Sequence, residues 1–173
     1  MKSLDAEEPT IRPLSAGDAE ALLRFYAGLS AATVHFYEPY SAITREVMAD
    51  VVDRAESGRD FARVLVTPEG EIVGHAFLSD IGGAEPSLGI GVADDWQNWG
   101  WGRRLLAEAL AEADGRPEVQ GVILTVNKQN ARALKLYTRF GFSVYGECDH
   151  REPGDSFRMR RAKRADRTPE SRG

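Results

Sequence analysis

The sequence predicts a single α/β domain, and three observations carry that expectation. Seven short strand-like runs are interspersed with four segments whose apolar residues recur at helical spacing. One glycine-broken strand-like run, 87–92, leads through the turn Gln97-Asn98-Trp99-Gly100-Trp101-Gly102 into a helix-like run from Arg103. The chain has 173 residues, 42% apolar and 28% charged, enough for one full core without disulfide or metal support.

Taken in order, residues 1–9 read as a solvated acidic lead-in and 10–14 as a first strand closed by Pro13. Asp18 can cap a helix in which Ala21, Leu22, Phe25, Tyr26 and Leu29 share a face. Thr44 can cap a second helix through about Ala55, with Val47, Met48, Val51 and Val52 inward. The aromatic-rich stretch 34–40 between them reads as a connection. Runs 61–66 and 71–78 form a hairpin turned by Pro68-Glu69-Gly70. After the glycine turn, Leu105, Leu106, Ala109, Leu110 and Ala113 mark a long helix. Strand 122–126, helix 130–140 and strands at about 142–148 and 155–161 complete the domain. Residues 162–173 are polar and read as a disordered tail.

Composition excludes several classes. The net charge of −5 argues against non-specific nucleic-acid binding, so nucleic acid is not an expected partner. The basic residues of the tail leave an RNA contact as a weak third idea. Cys148 is the sole cysteine, so one chain offers neither a disulfide framework nor a cysteine-rich zinc site, and no metal is expected. No apolar run approaches the length of a membrane span, and residues 1–8 carry no apolar signal core; a cytoplasmic protein, monomer or homodimer, is expected.

A strand, a glycine turn and a helix aim several backbone N–H groups at one point, backed by the positive end of the helix dipole. An anion is the natural occupant. The turn is not a Walker A loop, because Arg103 and Arg104 follow it where Lys and Ser or Thr are needed. It is not a dinucleotide fingerprint either, since the third glycine position is Leu105. The plain alternative is a tight connection whose glycines only permit the turn.

A second segment follows one strand later: Asn130, Ala133, Tyr137 and then Gly141-Phe142. Together with 97–102 it resembles the GNAT superfamily of acyl-CoA-dependent N-acyltransferases, in order, spacing and intervening strand, over roughly residues 10–160. The resemblance implies a central mixed, mostly antiparallel sheet of about seven strands flanked by about four helices and splayed at the acyl-CoA site. It also implies transfer of an acetyl group from acetyl-CoA, the cosubstrate, to a primary amine of a small molecule or peptide by direct attack in a ternary complex. The competing class is a non-catalytic acyl-CoA-binding or interaction module of the same fold.

By the same resemblance, Gln97, Asn98, Trp99, Gly100, Trp101 and Gly102 would hold the pyrophosphate, with Arg103 or Arg104 adding charge-assisted bonds and Asn130 a further contact. Rings as large as Trp99 and Trp101 depart from the family pattern; they could cover the cofactor or pack on a neighbouring surface. Glycines 89 and 91 would mark a bulge where the strand splays, and Ile90, Gly91 and Val92 would pair with pantetheine along the exposed edge. Tyr137 would donate a proton to the departing thiolate, a phenol of pKa near ~10 facing a thiol near ~8.5. The family's glutamate base position falls at Ser87. Glu85 two residues earlier, His75, or a water chain are the candidates for the base. The 34–40 stretch walls the acceptor side in this family, so His35, Phe36 and Tyr37 are expected to stack on the amine, and Glu38 to hold an ammonium group.

Overall fold

The structure, a computed structural model, describes residues 8–164. The expectations for residues 1–7 and 165–173 lie outside the described residues. The chain builds a seven-stranded mixed sheet of order β1-β2-β3-β4-β5-β7-β6. β1 is Thr10–Pro13, β2 Phe61–Val66, β3 Ile72–Ser79 and β4 Ser87–Val92. β5 is Gly121–Asn127, β6 Ser143–Cys148 and β7 Ser156–Ala162. Five helices accompany it: α1 Ala19–Ala27, α2 Ala31–Phe36, α3 Arg45–Glu56, α4 Trp101–Gly115 and α5 Ala131–Arg139.

Side chains close the N-terminal ends of some helices and not others. Asp18 stands at the N-cap of α1, where a cap was expected, but its carboxylate is taken by Arg12 and Ser15 and does not cap that helix. Thr44 Oγ1 accepts the Val47 N–H at 3.2 Å and starts α3, as its position in the sequence suggests. α2 was not expected. Ser30 Oγ accepts the Thr33 N–H at 3.2 Å, and Asp94 in turn accepts from the Ser30 and Thr33 hydroxyls at 2.5 and 2.8 Å. A helix of six residues is too short to show a period, and the acid that secures it stands sixty-odd residues away. Half of the expected aromatic connection is therefore helical.

α1 and α3 cover one face, where Leu22, Phe25, Tyr26, Met48 and Val52 pack against Val64, Val66 and Phe77. α4 packs elsewhere, with Leu105 against Leu65, Ala76 and Trp101, and with Leu106, Ala109, Leu110 and Ala113 against Leu78, Leu88, Val122 and Leu124. Each fully buried leucine is worth roughly 1.5–3 kcal/mol relative to exposure. The far end of α4 is tied down by charge. Arg161, 4% exposed, donates to both Asp114 carboxylate oxygens at 2.9 and 2.8 Å and to the Phe140 carbonyl at 3.1 Å. Burial pushes the Asp114 carboxyl upward, but the Arg161 hydrogen bonds, the Arg164 N–H and the charge of both arginines together outweigh it and hold the group below its ordinary range. β7 runs one residue further than expected, to Ala162, and the Lys163 N–H donates to Gln120 O at 2.8 Å, so the tail begins only after these.

One feature of the sheet positions everything else. β4 and β5 are parallel and meet at a single register point, Ser87 opposite Ile123, with the Ile123 N–H donating to Pro86 O at 3.1 Å. Beyond that point they diverge. The expected cause, a bulge at the glycines, is not what the structure has: β3 and β4 pair in unbroken register from Gly74↔Val92 to Ser79↔Ser87. The glycines answer a different need. A Cβ on Gly89 would stand 2.3 Å from the Phe77 ring, and one on Gly91 only 2.1 Å from the Tyr37 ring. Both positions are bare so that aromatic rings can lie on the strand.

Candidate active site

Between the diverging strands lies an open cleft of about 1250 Å³. Its inner wall is the free edge of β4. Ala93 N–H donates to Val73 O at 2.8 Å, and antiparallel bonding alternates, so the backbone groups of Gly91 face β3 while those of Ile90 and Val92 face the cleft. Gln97 Nε2 takes the Val92 carbonyl at 3.0 Å, which leaves the Ile90 N–H and carbonyl as the open pair on this edge.

The glycine turn forms one end. Asn98 and Gly100 both have positive φ, 65° and 85°, and Gly100 in the left-handed conformation is the N-cap of α4. This geometry leaves the first-turn N–H groups of α4 without a side-chain cap and available to an anion. The turn is braced by α5: Arg132, itself in the lining of the cleft, donates to Asn98 Oδ1 and to Gln97 Oε1, each at 3.0 Å. Gln97 also donates to Thr33 Oγ1 at 3.1 Å. Its side chain thus joins the turn to α2 and α5 as well as lining the cleft. Arg132 gave no signal in the sequence, because its partners lie across two turns of chain.

The structure brings most of the expected residues together. Ile90, Gly91, Val92, Gln97, Asn98, Gly100, Gly102, Arg103, Asn130 and Tyr137 line the cleft, as do Phe36, Tyr37 and Glu38 at the opposite end. Four do not. Trp99 is exposed and outside the lining. Trp101 is 7% exposed and anchors α4 among Leu65, Val73, Val92 and Leu105, with the Arg104 guanidinium 4.4 Å from its ring centroid. That contact separates the two arginines, since Arg103 faces the cleft and Arg104 covers Trp101. His35 packs edge-on against Phe36 at 4.8 Å and stays outside the lining. Glu85 is also outside, two residues before β4 begins and ion-paired with Arg160.

Asn130 both lines the cleft and caps α5, its Oδ1 accepting the Ala133 N–H at 3.2 Å. About two turns further, the Tyr137 ring rests edge-on against Phe142 at 5.7 Å, and among the described residues its hydroxyl has no hydrogen-bond partner. Burial pushes its pKa up to about 12. The phenol therefore holds its proton firmly. It suits a hydrogen-bond donor to a thiolate better than a group that surrenders its proton outright, which is harder here than for an unperturbed phenol.

Across the cleft, Tyr37 is also pushed well above the ordinary phenol range, by burial first, then by Tyr40, and in smaller part by Tyr137. Tyr37 ends a chain of polar groups whose members lie far apart in the sequence. Its hydroxyl is 2.8 Å from that of Tyr26, which is 2.7 Å from His75 Nδ1. His75 is completely buried, and burial drops its pKa to about 3. It has no access to the cleft and is neutral near pH 7. The Glu38 carboxylate is engaged as well: Arg151, in the β6–β7 turn, donates to Glu38 Oε2 at 2.7 Å and to the Val34 carbonyl at 3.1 Å.

No helix among the described residues is long and apolar enough to cross a membrane. Among the same residues, no cluster of three or more potential ligands could hold a metal ion.

Comparison with known proteins agrees with this geometry. Spermidine N(1)-acetyltransferase of Escherichia coli (strain K12) is 26% identical over 147 residues, covering 84% of this chain and 78% of that protein. The crystal structure of spermidine N-acetyltransferase from Vibrio cholerae, in complex with CoA and spermine, superposes with a TM-score of 0.70 at 19% identity, covering 90% of this chain and 96% of that one. Ribosomal-protein-S5-alanine acetyltransferase from Vibrio fischeri superposes with a TM-score of 0.76 at 16% identity, over 94% and 97% of the two chains. The model of the Acetyltransferase (GNAT) family matches residues 25–142, so the chain belongs to that family and is an acyl-CoA-dependent N-acetyltransferase acting on an amine.

Proposed function

We propose that acetyl-CoA binds with its pyrophosphate at the α4 N-terminus, its pantetheine along the free edge of β4, and its thioester between Ile90 and Tyr137. The amine attacks directly from the side walled by Phe36 and Tyr37. The observation that carries this reading is the single β4–β5 bridge at Ser87, which frees the strand edge facing Tyr137. Gly100 and Gly102 permit close approach of a phosphate, Arg103 adds charge from the helix face, and Asn130 stands beside them.

In the reaction the amine nitrogen bonds to the thioester carbon, the carbonyl electron pair moves to oxygen, and collapse expels the CoA thiolate. The amine gives up one proton and the thiolate gains one. Tyr137 steadies the thiolate through its O–H. Glu85 and His75 both stand away from the cleft, so water in the open cleft carries the amine's proton.

The acceptor is a small primary amine. Spermidine is the first to test, because two relatives are named for it. Thiol release from acetyl-CoA, measured with spermidine, other polyamines, amino acids and a peptide N-terminus, tests the reading. Acceptor-dependent release is expected with at least one amine. Tight acetyl-CoA binding with no acceptor-dependent release from any class would favour the non-catalytic binding module.

A further inference from the structure

The buried chain His75–Tyr26–Tyr37 has a direction, and the direction can be worked out. A neutral imidazole carries one N–H and one bare lone pair. His75 Nδ1 is taken by Tyr26, and His75 Nε2 is buried with no partner. In buried backbone an orphaned N–H is rarer than an under-satisfied acceptor, and the same preference puts the ring proton on Nδ1, donated to the Tyr26 oxygen. Tyr26 has a single hydrogen of its own. The Tyr40 hydroxyl also bears on it, but the hydrogen bond that closes is the one to the Tyr37 oxygen 2.8 Å away. That leaves the Tyr37 O–H as the free end of the chain, with no other protein partner among the described residues. Its ring is held against Gly91, opposite His75 in the β3–β4 register, where any side chain at 91 would displace it.

A group that offers a hydrogen is the wrong partner for an ammonium and the right one for a carbonyl oxygen. We propose that Tyr37 donates its phenolic hydrogen to the thioester oxygen of acetyl-CoA, as a side-chain oxyanion donor whose polarity is set by His75 through Tyr26. This rests on the site reading above, in which the thioester lies at the free edge of β4. The Ile90 N–H supplies a first donor from that edge, and Tyr37 supplies a second from the acceptor side. As the amine attacks, negative charge grows on the carbonyl oxygen, and donors already in place stabilise it without reorganising. Tyr37 keeps its proton throughout. Tyr26 and His75 touch no substrate and are positioning residues.

The test reads the carbonyl directly. Acetyl-CoA labelled with ¹³C at the thioester carbonyl is bound to the full chain, and its resonance is compared with free acetyl-CoA. A downfield shift is expected in the wild type. It should shrink in Tyr37→Phe and shrink partly in Tyr26→Phe, which keeps every ring and cuts only the chain. With an acceptor present, Tyr37→Phe should lower kcat roughly 10²–10³-fold at unchanged acetyl-CoA KM. ¹⁵N NMR of the wild type should show the His75 proton on Nδ1, whether or not the variants fold. An unchanged carbonyl resonance in Tyr37→Phe, or a His75 proton on Nε2, overturns the proposal. Failure of the wild type to turn over any amine counts against the catalytic reading alone, because the carbonyl and imidazole signals need no acceptor. If acetyl-CoA does not bind the wild type, both readings fall together.

Discussion

Tyr137 and His75 show how burial sets the chemistry of single residues in this site. The Tyr137 phenol, raised to about 12, keeps its hydrogen across the working pH range. Tyr137→Phe should lower kcat by about 10²–10³-fold, the usual cost of losing one preorganised hydrogen-bond donor to developing charge, while KM for acetyl-CoA stays within about twofold. Steady-state kinetics under conditions where chemistry is rate-limiting checks this; wild-type turnover would return the residue to a packing role against Phe142. His75 makes a prediction about stability instead. Its folded-state pKa of about 3 lies below the ordinary value of about 6.5, so the unfolded chain binds the proton more readily in between. Stability is therefore complete above pH ~6.5 and declines as pH falls toward ~3, by up to about 1.4 kcal/mol per unit. The depressed carboxyls of Asp18 and Asp114 act in a more acidic window and leave pH 5–6.5 to His75. Urea midpoints at pH 7 and pH 5 should differ in the wild type and less so in His75→Gln. A flat wild-type profile over that interval sinks the account.

At the scale of elements, the turn between β4 and α4 and the bare edge of β4 do most to define the site. Gly100 has φ +85° with nothing within 4 Å of a would-be Cβ, so the objection to a side chain there comes from the backbone and not from crowding. Gly100→Val should cost about 1–2 kcal/mol in folding through the left-handed conformation and weaken CoA binding by shifting the α4 N–H groups. Calorimetry on the folded variant is the measurement, and undiminished CoA affinity would take this turn out of the site. The glycines of β4 teach a different lesson. In the sequence they read as weak points in a strand, hence the expectation of a bulge, yet the register is unbroken and they are clearances for Phe77 and Tyr37. No pattern within 87–92 could reveal that, since the rings come from β3 and from the residue after α2.

Across the whole molecule, the end of the cleft lined by Phe36, Tyr37 and Glu38 is closed by contacts between distant parts of the chain. Asp155 accepts the backbone N–H groups of His150 and Arg151, each at 3.0 Å, and shapes the β6–β7 turn from which Arg151 reaches Glu38. Glu38, expected to hold a substrate ammonium, lines the cleft, and its carboxylate also joins this turn to the segment that follows α2. The pair is part-exposed and contributes little to stability. It ties the β6–β7 turn to the chain at that mouth of the cleft. Arg151→Ala should raise KM for the amine severalfold and leave KM for acetyl-CoA unchanged, as measured by varying each substrate in turn. Equal effects on both, or none on either, would place the acceptor elsewhere.

What the sequence determined by itself was local. Helical spacing gave α1, α3, α4 and α5 within a few residues, alternation and turn residues gave the strands, and the paired motifs 97–102 and 130–142 gave the family. These are readable because period, cap and turn chemistry act between residues close in the chain. Tertiary structure decided which of the singled-out residues meet. It drew Trp101 into the core, paired Glu85 with Arg160 and Glu38 with Arg151, and buried His75 behind Tyr26 and Tyr37. Each outcome depends on a partner tens of residues away, and a charge or a hydroxyl carries no mark in the sequence of the partner that will satisfy it.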